Sequence, residues 1–241
     1  LEDQYSRDEP AITLLQRISV EKAQIEGRIK QRTQKTPGKV SSQAQPFEIP
    51  KNWIWASLSD VGLTSTGKTP STKNPVFFSG EIPFIGPGQV TGSGKILESD
   101  KHLSEEGLSV SDEALPGDIL TVCIGGSIGK TGKIRARCGF NQQLNKVRPV
   151  LIEPDYLLAV LKADFFQDAI FEKATGSATP IISRSKWESI NIPIAPLAEQ
   201  KRIARKVEEL MALCNQLKGR LHYSSETRCQ LAETVVDTAL Q

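Results

Sequence analysis

The sequence predicts an α/β (α+β) globular domain carried with long coiled-coil α-helices. Three observations predict it. Short apolar runs broken by Gly and Pro fill residues 51–153, a heptad-like stripe starts at Ala11, and a narrow apolar seam runs from Ile203 to Leu221. The 241 residues suffice for one sizeable domain with extensions, or for two small ones. At 38% hydrophobic and 24% charged residues, the chain can build a core without staples.

Residues 10–30 read as a helix, because Ala11, Leu15, Ile18, Lys22, Ile25 and Ile29 recur in steps of four and three. Pro10 suits a first helical turn. Residues 33–50 lose all periodicity in Thr, Gln, Pro, Gly and Ser, and read as a linker. Strands are expected at Val76–Phe78, Ile82–Ile85, Ile119–Ile124 and Val147–Leu151, each an apolar run bounded by turn residues. From Pro154 to Thr175 the pattern turns helical through Tyr156, Leu157, Val160, Leu161, Phe165, Phe166 and Ile170, with Gly176 as the stop. Ile190–Ala195 is a further short strand.

From Leu197 onward, Ile203, Val207, Leu210, Cys214, Leu217 and Leu221 form an a/d seam between charged flanks. A helix over 197–222 would be roughly 39 Å long at about 1.5 Å per residue. Ser224-Ser225 is expected to break it, and a last segment with Leu231, Val235 and Leu240 is placed to fold back. A two-in-seven stripe fits a partner helix, and an amphipathic helix lying on its own domain is the alternative. The expected divisions are therefore 1–44, a helix and basic linker; 45–196, the globular domain; and 197–241, the C-terminal helical region.

Several function classes drop out. No stretch approaches 18 uninterrupted apolar residues, so no membrane span is expected. Leu1-Glu2-Asp3-Gln4 lacks Met and a signal pattern, and reads as a fragment or processed piece. Cys123, Cys138, Cys214 and Cys229 form no CxxC pair and fit no common zinc spacing, which suits a reducing cytoplasm. With only His102 and His222, there is little material for a metal site or a Ser-His-Asp triad. No paired-carboxylate, metal or nucleophile constellation stands out, so no catalytic residue is assigned.

Net charge is +2, but basic residues cluster. Between Asp118 and Glu153 stand Lys130, Lys133, Arg135, Arg137, Lys146 and Arg148 with no acid among them. A second acid-free run, between Glu26 and Glu48, holds Arg28, Lys30, Arg32, Lys35 and Lys39. Such clusters fit a face that meets polyanions, or simply a solvated surface. Gly125-Gly126-Ser127-Ile128-Gly129-Lys130-Thr131 looks like a phosphate-binding loop but fails on count, since Ile124 stands where the first glycine belongs. A Gly-rich hairpin fits better, its bare backbone able to approach a phosphate or groove. Polar loops at Thr64–Ser71, Gly86–Gln89, Asn141–Gln143 and Thr175–Ser177 offer base-pairing chemistry, or ordinary turn chemistry. Trp53, Trp55 and Trp187 read as core anchors.

The chain resembles the specificity subunits of type I restriction–modification systems over roughly residues 50–240. The resemblance is carried by Pro50-Lys51-Asn52-Trp53, Thr66–Ser71, Gly80–Ile85, Pro116–Leu120, Gly126–Lys130, Asn141–Gln143 and Gly176-Ser177. Its most specific string is Ile192-Pro193-Ile194-Ala195-Pro196-Leu197-Ala198-Glu199-Gln200-Lys201-Arg202-Ile203, leading into the heptad helix. Leu14–Ile18 with Glu21-Lys22-Ala23 looks like the stretch preceding a second recognition domain. Ala195 replaces a proline common in the family, and the C-terminal segment stops a little short of the usual end.

The resemblance implies a non-catalytic target-recognition domain that reads one half of a bipartite duplex DNA target. It also implies antiparallel helices acting as a ruler and docking modification (methyltransferase) subunits. Methyl-donor chemistry would belong to the modification subunit and ATP-driven cleavage to the restriction subunit, with no cofactor on this chain. One recognition domain implies half of a longer subunit, or a half-subunit that self-dimerises through the coiled coil. A prokaryotic cytoplasmic setting follows. Loop position and chemistry nominate Lys68, Lys73, Lys130, Lys133 and Arg135 for DNA phosphates, and Gln89, Gln142, Ser177 and Arg184 for bases. The rivals are a coiled-coil protein-interaction scaffold and a recognition domain cut from a fused methyltransferase–nuclease.

Overall fold

A computed structural model describes residues 8–29 and 46–239. The linker over 33–45 and the basic run from Arg28 to Lys39 lie outside the residues or side chains described, as do the side chains of Leu231, Val235 and Leu240. The chain divides at Lys201 into two units.

The first unit opens with α1 (Ala11–Ile29). Its buried face is Ala11, Leu14 and Ile18, each with no exposed surface. The expected stripe is thus shifted from Leu15 to Leu14 at its second position. Three anchors fix this helix: the Ala11 amide donates to the Asn52 carbonyl at 3.1 Å, the helix packs on α2 (Leu58–Val61), and Lys22 Nζ donates to the Ser59 carbonyl. Burial lowers the Lys22 pKa, against the nearby charges of Glu26, Asp60 and Glu188.

Three small sheets follow. β1 (Ile54–Ser57) pairs antiparallel with β10 (Asn191–Ile194). The second sheet has the order β2-β9-β6-β7, all antiparallel, from β2 (Gly62–Thr66), β9 (Leu144–Pro149), β6 (Ile119–Val122) and β7 (Thr131–Lys133). The third is mixed, with order β4-β3-β8-β5, from β4 (His102–Leu103), β3 (Ile82–Ile85), β8 (Cys138–Phe140) and β5 (Asp112–Ala114). Every residue of β6 is buried, which is why it reads as a continuous apolar run. The main core joins the last two sheets through Ile85, Ala114, Leu120, Val122, Cys138, Phe140 and Leu144. A smaller cluster holds Phe84, Leu103 and Leu108, the last on α3 (Glu105–Ser109).

Three sequence expectations change. Val76–Phe78 is a 3-10 turn (Pro75–Phe78), because Pro75 starts it and Asn74 caps the Val76 amide. The helical stretch from Pro154 is two helices, α4 (Pro154–Lys162) and α5 (Asp164–Lys173), since Ala163 is extended between them. Their apolar faces bury Tyr156, Leu157, Phe166 and Ile170, and the Tyr156 hydroxyl donates to the Pro193 carbonyl at 2.8 Å. After α6 (Arg184–Glu188), the last helix α7 is unbroken from Leu197 to Ala239. Ser224 and Ser225 do not stop it, because serine costs a helix only a few tenths of a kcal/mol more than good formers, roughly 0.5. His222 pairs with Glu226 one turn on, and the Thr227 hydroxyl bonds the Tyr223 carbonyl.

In the second unit, the seam is exposed. Val207, Leu210, Leu217 and Leu221 are 37–71% exposed, and Cys214 is also exposed. Ile203 is half-buried. At 43 residues, α7 is roughly 64 Å long at about 1.5 Å per residue.

Candidate nucleic-acid interface

One end of the β2-β9-β6-β7 sheet gathers five loops. Thr66↔Asn145, Val122↔Leu144 and Thr121↔Thr131 pair there, so β2 and β6 end, and β9 and β7 begin, on the same edge. The loops are 66–71, 86–89, 123–130, 141–143 and 175–181.

Backbone hydrogen bonds set them in a row. Thr175 and Ile181 exchange amide-to-carbonyl bonds at 2.9 and 2.8 Å, and Ile181 bridges Ile124. The Gly125 amide donates to the Pro180 carbonyl at 3.0 Å, and the Cys123 amide to the Gln143 carbonyl at 2.8 Å. Four segments therefore lie side by side in the order Thr175, Ile181, Ile124, Gln143. At about 4.8 Å per step, the row spans roughly 14 Å. The remaining loops join beyond it: Asn141 donates to Ile85, and Lys68 to Phe140, both at 3.0 Å.

None of these five loops contains a carboxylate, while Lys68 and Lys130 stand in two of them. Both lysines are exposed. The Thr69 hydroxyl donates to Gln142 Oε1 at 2.6 Å, and Nε2 of the exposed Gln142 keeps two donors with no protein acceptor among the described residues. Ser177 is exposed in the 175–181 loop. Gln89 is also in the group, but its Oε1 accepts from the Gly86 amide at 3.0 Å and closes its own turn. Lys73 is exposed just past the 66–71 loop.

Two nominated residues, Lys133 and Arg135, sit apart, while Arg184 lies two residues past Ile182, whose amide donates to the Cys123 carbonyl at 3.0 Å. Lys133 pairs with Ile119 at the other end of the β6–β7 hairpin and is engaged by Asp155 of α4. Arg135 follows at that same far end and is exposed. Arg184 opens α6, with its Nε 3.7 Å from Glu188, whose carboxylate also accepts from the Thr64 hydroxyl.

The six cations of the acid-free interval are largely neutralised by the fold. Besides the Lys133 pair, Arg137 bonds Glu105 and Glu113 at 2.6 Å each, Lys146 bonds Asp112 at 2.6 Å, and Arg148 grips Asp118 with two nitrogens. These pairings raise the Arg137 and Arg148 pKa values, chiefly through the side-chain hydrogen bonds. Only Lys130 and Arg135 of the six carry no ion pair among the described residues.

The 123–130 loop is not a nucleotide cradle. Gly125 and Gly129 adopt φ of +93° and +87°, and the chain passes into β7 instead of a helix. Cys123 at its base is buried, and burial pushes its thiol up to about 12. Trp55 and Trp187 are core residues, and Trp53 Nε1 donates to Glu199 at 3.1 Å. Among the described residues no group of three or more His, Cys, Asp or Glu side chains is placed to hold a metal, and no helix is long and apolar enough to cross a membrane. Sequence reading placed Thr69 only within a polar run, and its partner Gln142 lies 73 residues on, beyond the reach of local pattern.

Amides, hydroxyls, lysines and bare glycine backbone in one acid-free row suit binding to phosphates and base edges. Comparison with known proteins gives the family. A family model described as the type I restriction modification DNA specificity domain matches residues 50–222. The type I restriction enzyme EcoAI specificity subunit of Escherichia coli is 27% identical, over 98% of this chain and 41% of its own length. The EcoEI specificity subunit, also from Escherichia coli, is 26% identical over 98% and 40%. The chain thus spans about two fifths of these curated relatives. In fold, it is similar to the HsdS subunit from Thermoanaerobacter tengcongensis, with a TM-score of 0.53 and 22% identity over 73% of this chain and 41% of that one. A chain from a structure of the type I R-M system superposes with a TM-score of 0.57 at 19% identity, over 86% of this chain and 47% of that one.

Proposed function

This chain belongs to the type I restriction modification DNA specificity domain family, and on that premise we propose that its loop row reads one half of a bipartite duplex DNA target. The supporting observation is the loop group itself: a four-segment row flanked by two further loops, with no carboxylate in any of the five loops and two exposed lysines, at one end of the sheet. A row of roughly 14 Å matches about four base pairs at about 3.4 Å per step along one strand.

Lys68 and Lys130, with Lys73 beside them, contact phosphates in this reading. Gln142 and Ser177 face base edges. With Oε1 held by Thr69, Gln142 offers its two N–H donors to acceptors such as guanine N7 and O6 or thymine O4. Swinging away from Thr69 would restore the donor–acceptor pair that suits adenine. Lys133 and Arg135 have no part in this face, and Gln89 acts through its turn.

The exposed α7 seam serves helix pairing, either within a longer subunit or with a second copy. Modification subunits and a restriction subunit dock on the assembly in a prokaryotic cytoplasm, supplying the methyl donor and the ATP-driven cleavage. The chain itself is non-catalytic.

Duplex binding across a salt series tests the face. Lys68→Ala and Lys130→Ala should each weaken binding on every sequence and flatten the salt slope by about one. Wild-type slopes in both variants would exclude this face.

A further inference from the structure

The Gly126 and Ser127 amides sit at the crest of the 123–130 loop. Four neighbouring amides in that loop have a carbonyl partner: Gly125 on Pro180, Ile128 on Gly125, Gly129 on Val122, Lys130 on Ser127. Gly126 and Ser127 donate to no protein acceptor among the described residues. The space above them is open, since a Cβ built on Gly125 or Gly126 would meet nothing within 4 Å. Lys130 closes the same loop, and no carboxylate stands in any of the five loops around it.

We propose that these two consecutive amides, with Lys130, clamp one phosphate of the bound duplex. The inference rests on the DNA reading above and deepens it. Successive backbone N–H groups form a concave anion site, and bare glycine lets a phosphate oxygen approach to hydrogen-bond distance. Gly125 holds φ +93°, a turn conformation of the kind in which successive amides form an anion-binding concavity. The contact carries no sequence information and fixes the register of the neighbouring base-reading loops.

The clamp has a signature that lysine contacts lack. A neutral amide bonded to phosphate releases no counterion, so its loss leaves the salt slope intact. Gly126 is not in the left-handed region, and a side chain there meets open space, so the fold should accept Gly126→Val.

The test measures binding of the full chain to several unrelated duplexes from about 50 to 200 mM salt, with thermal unfolding as a fold control. Gly126→Val should lose affinity about ten-fold or more on every duplex, at wild-type salt slope and wild-type Tm. Ser127→Ala, which keeps the amide, should bind nearly as wild type. Lys130→Ala should flatten the slope by about one. Wild-type affinity in Gly126→Val, while Lys130→Ala flattens the slope, overturns the clamp and leaves the DNA reading standing. Absence of salt-dependent binding in the wild-type chain overturns both.

Discussion

The Thr69 hydroxyl donates to Gln142 Oε1 across two loops that are 73 residues apart in sequence, at 2.6 Å. The bond fixes one long amide side chain before any base arrives, which cuts the ordering cost of binding. Gln142→Ala should cost about 1–3 kcal/mol on the cognate sequence and relax selection at a single base position. Thr69→Val should cost less at that same position, because Gln142 remains but is unheld. Competition binding against a panel of single-base variants measures both. Equal losses on every variant would make Gln142 a backbone contact.

The Lys146–Asp112 pair ties the two core sheets together, with Ser65 also bonding Asp112 and the Lys146 ammonium 5.4 Å over the Phe140 ring. The Lys146 side chain is 11% exposed, so removing Asp112 leaves a largely buried ammonium without a counter-charge, held by the Glu113 carbonyl. Asp112→Ala should destabilise by about 2–3 kcal/mol in urea unfolding, less than a fully buried pair because Asp112 is partly exposed. Lys146→Met combined with Asp112→Ala should recover part of that loss, giving a coupling of about 1 kcal/mol or more. Simple additivity would show that the pair contributes little.

The four thiols should divide into two classes. Burial pushes Cys123 and Cys138 up to about 12, so both stay protonated between pH 7 and 9. Cys214 and Cys229 are exposed. Native chain with its seam unpaired should therefore show two fast thiols toward a disulfide reagent, and four after denaturation. The sign of the linkage follows: a thiol with a raised folded pKa adds stability that is full below its unfolded value, near 8.5, and fades as pH rises toward about 12. Helix pairing through the seam should shield Cys214 and leave Cys229 reactive, and Leu210→Lys with Leu217→Lys should abolish that shielding. Four fast thiols in the native chain would contradict the packing around β6 and β8.

Local pattern carried much of this fold. The apolar run at Ile119 became a fully buried strand, and the seam from Ile203 to Leu221 became an exposed stripe on one helix. Features set by distant partners were not legible. The six cations after Asp118 look like a basic patch in sequence, but Glu105, Asp112, Glu113, Asp118 and Asp155 meet four of them in space. Lys133 is one of the four, and its partner Asp155 lies 22 residues away on a helix. The loop row was legible only as separate polar segments, since what joins them is backbone bonding such as Cys123 to Gln143 and Gly125 to Pro180. The serine pair at 224–225 misled in the opposite way, because a long exposed helix tolerates mild local disfavour.

Selection of bound sequences from a random duplex library, with the full chain at about physiological salt, tests the central claim most directly. The expected result is one short motif, about four base pairs long, that loses selection at a single position in Gln142→Ala and keeps its full pattern in Arg135→Ala. A library that emerges unenriched, from a chain whose binding does not respond to salt, would contradict the assignment of the loop row as a DNA-reading face.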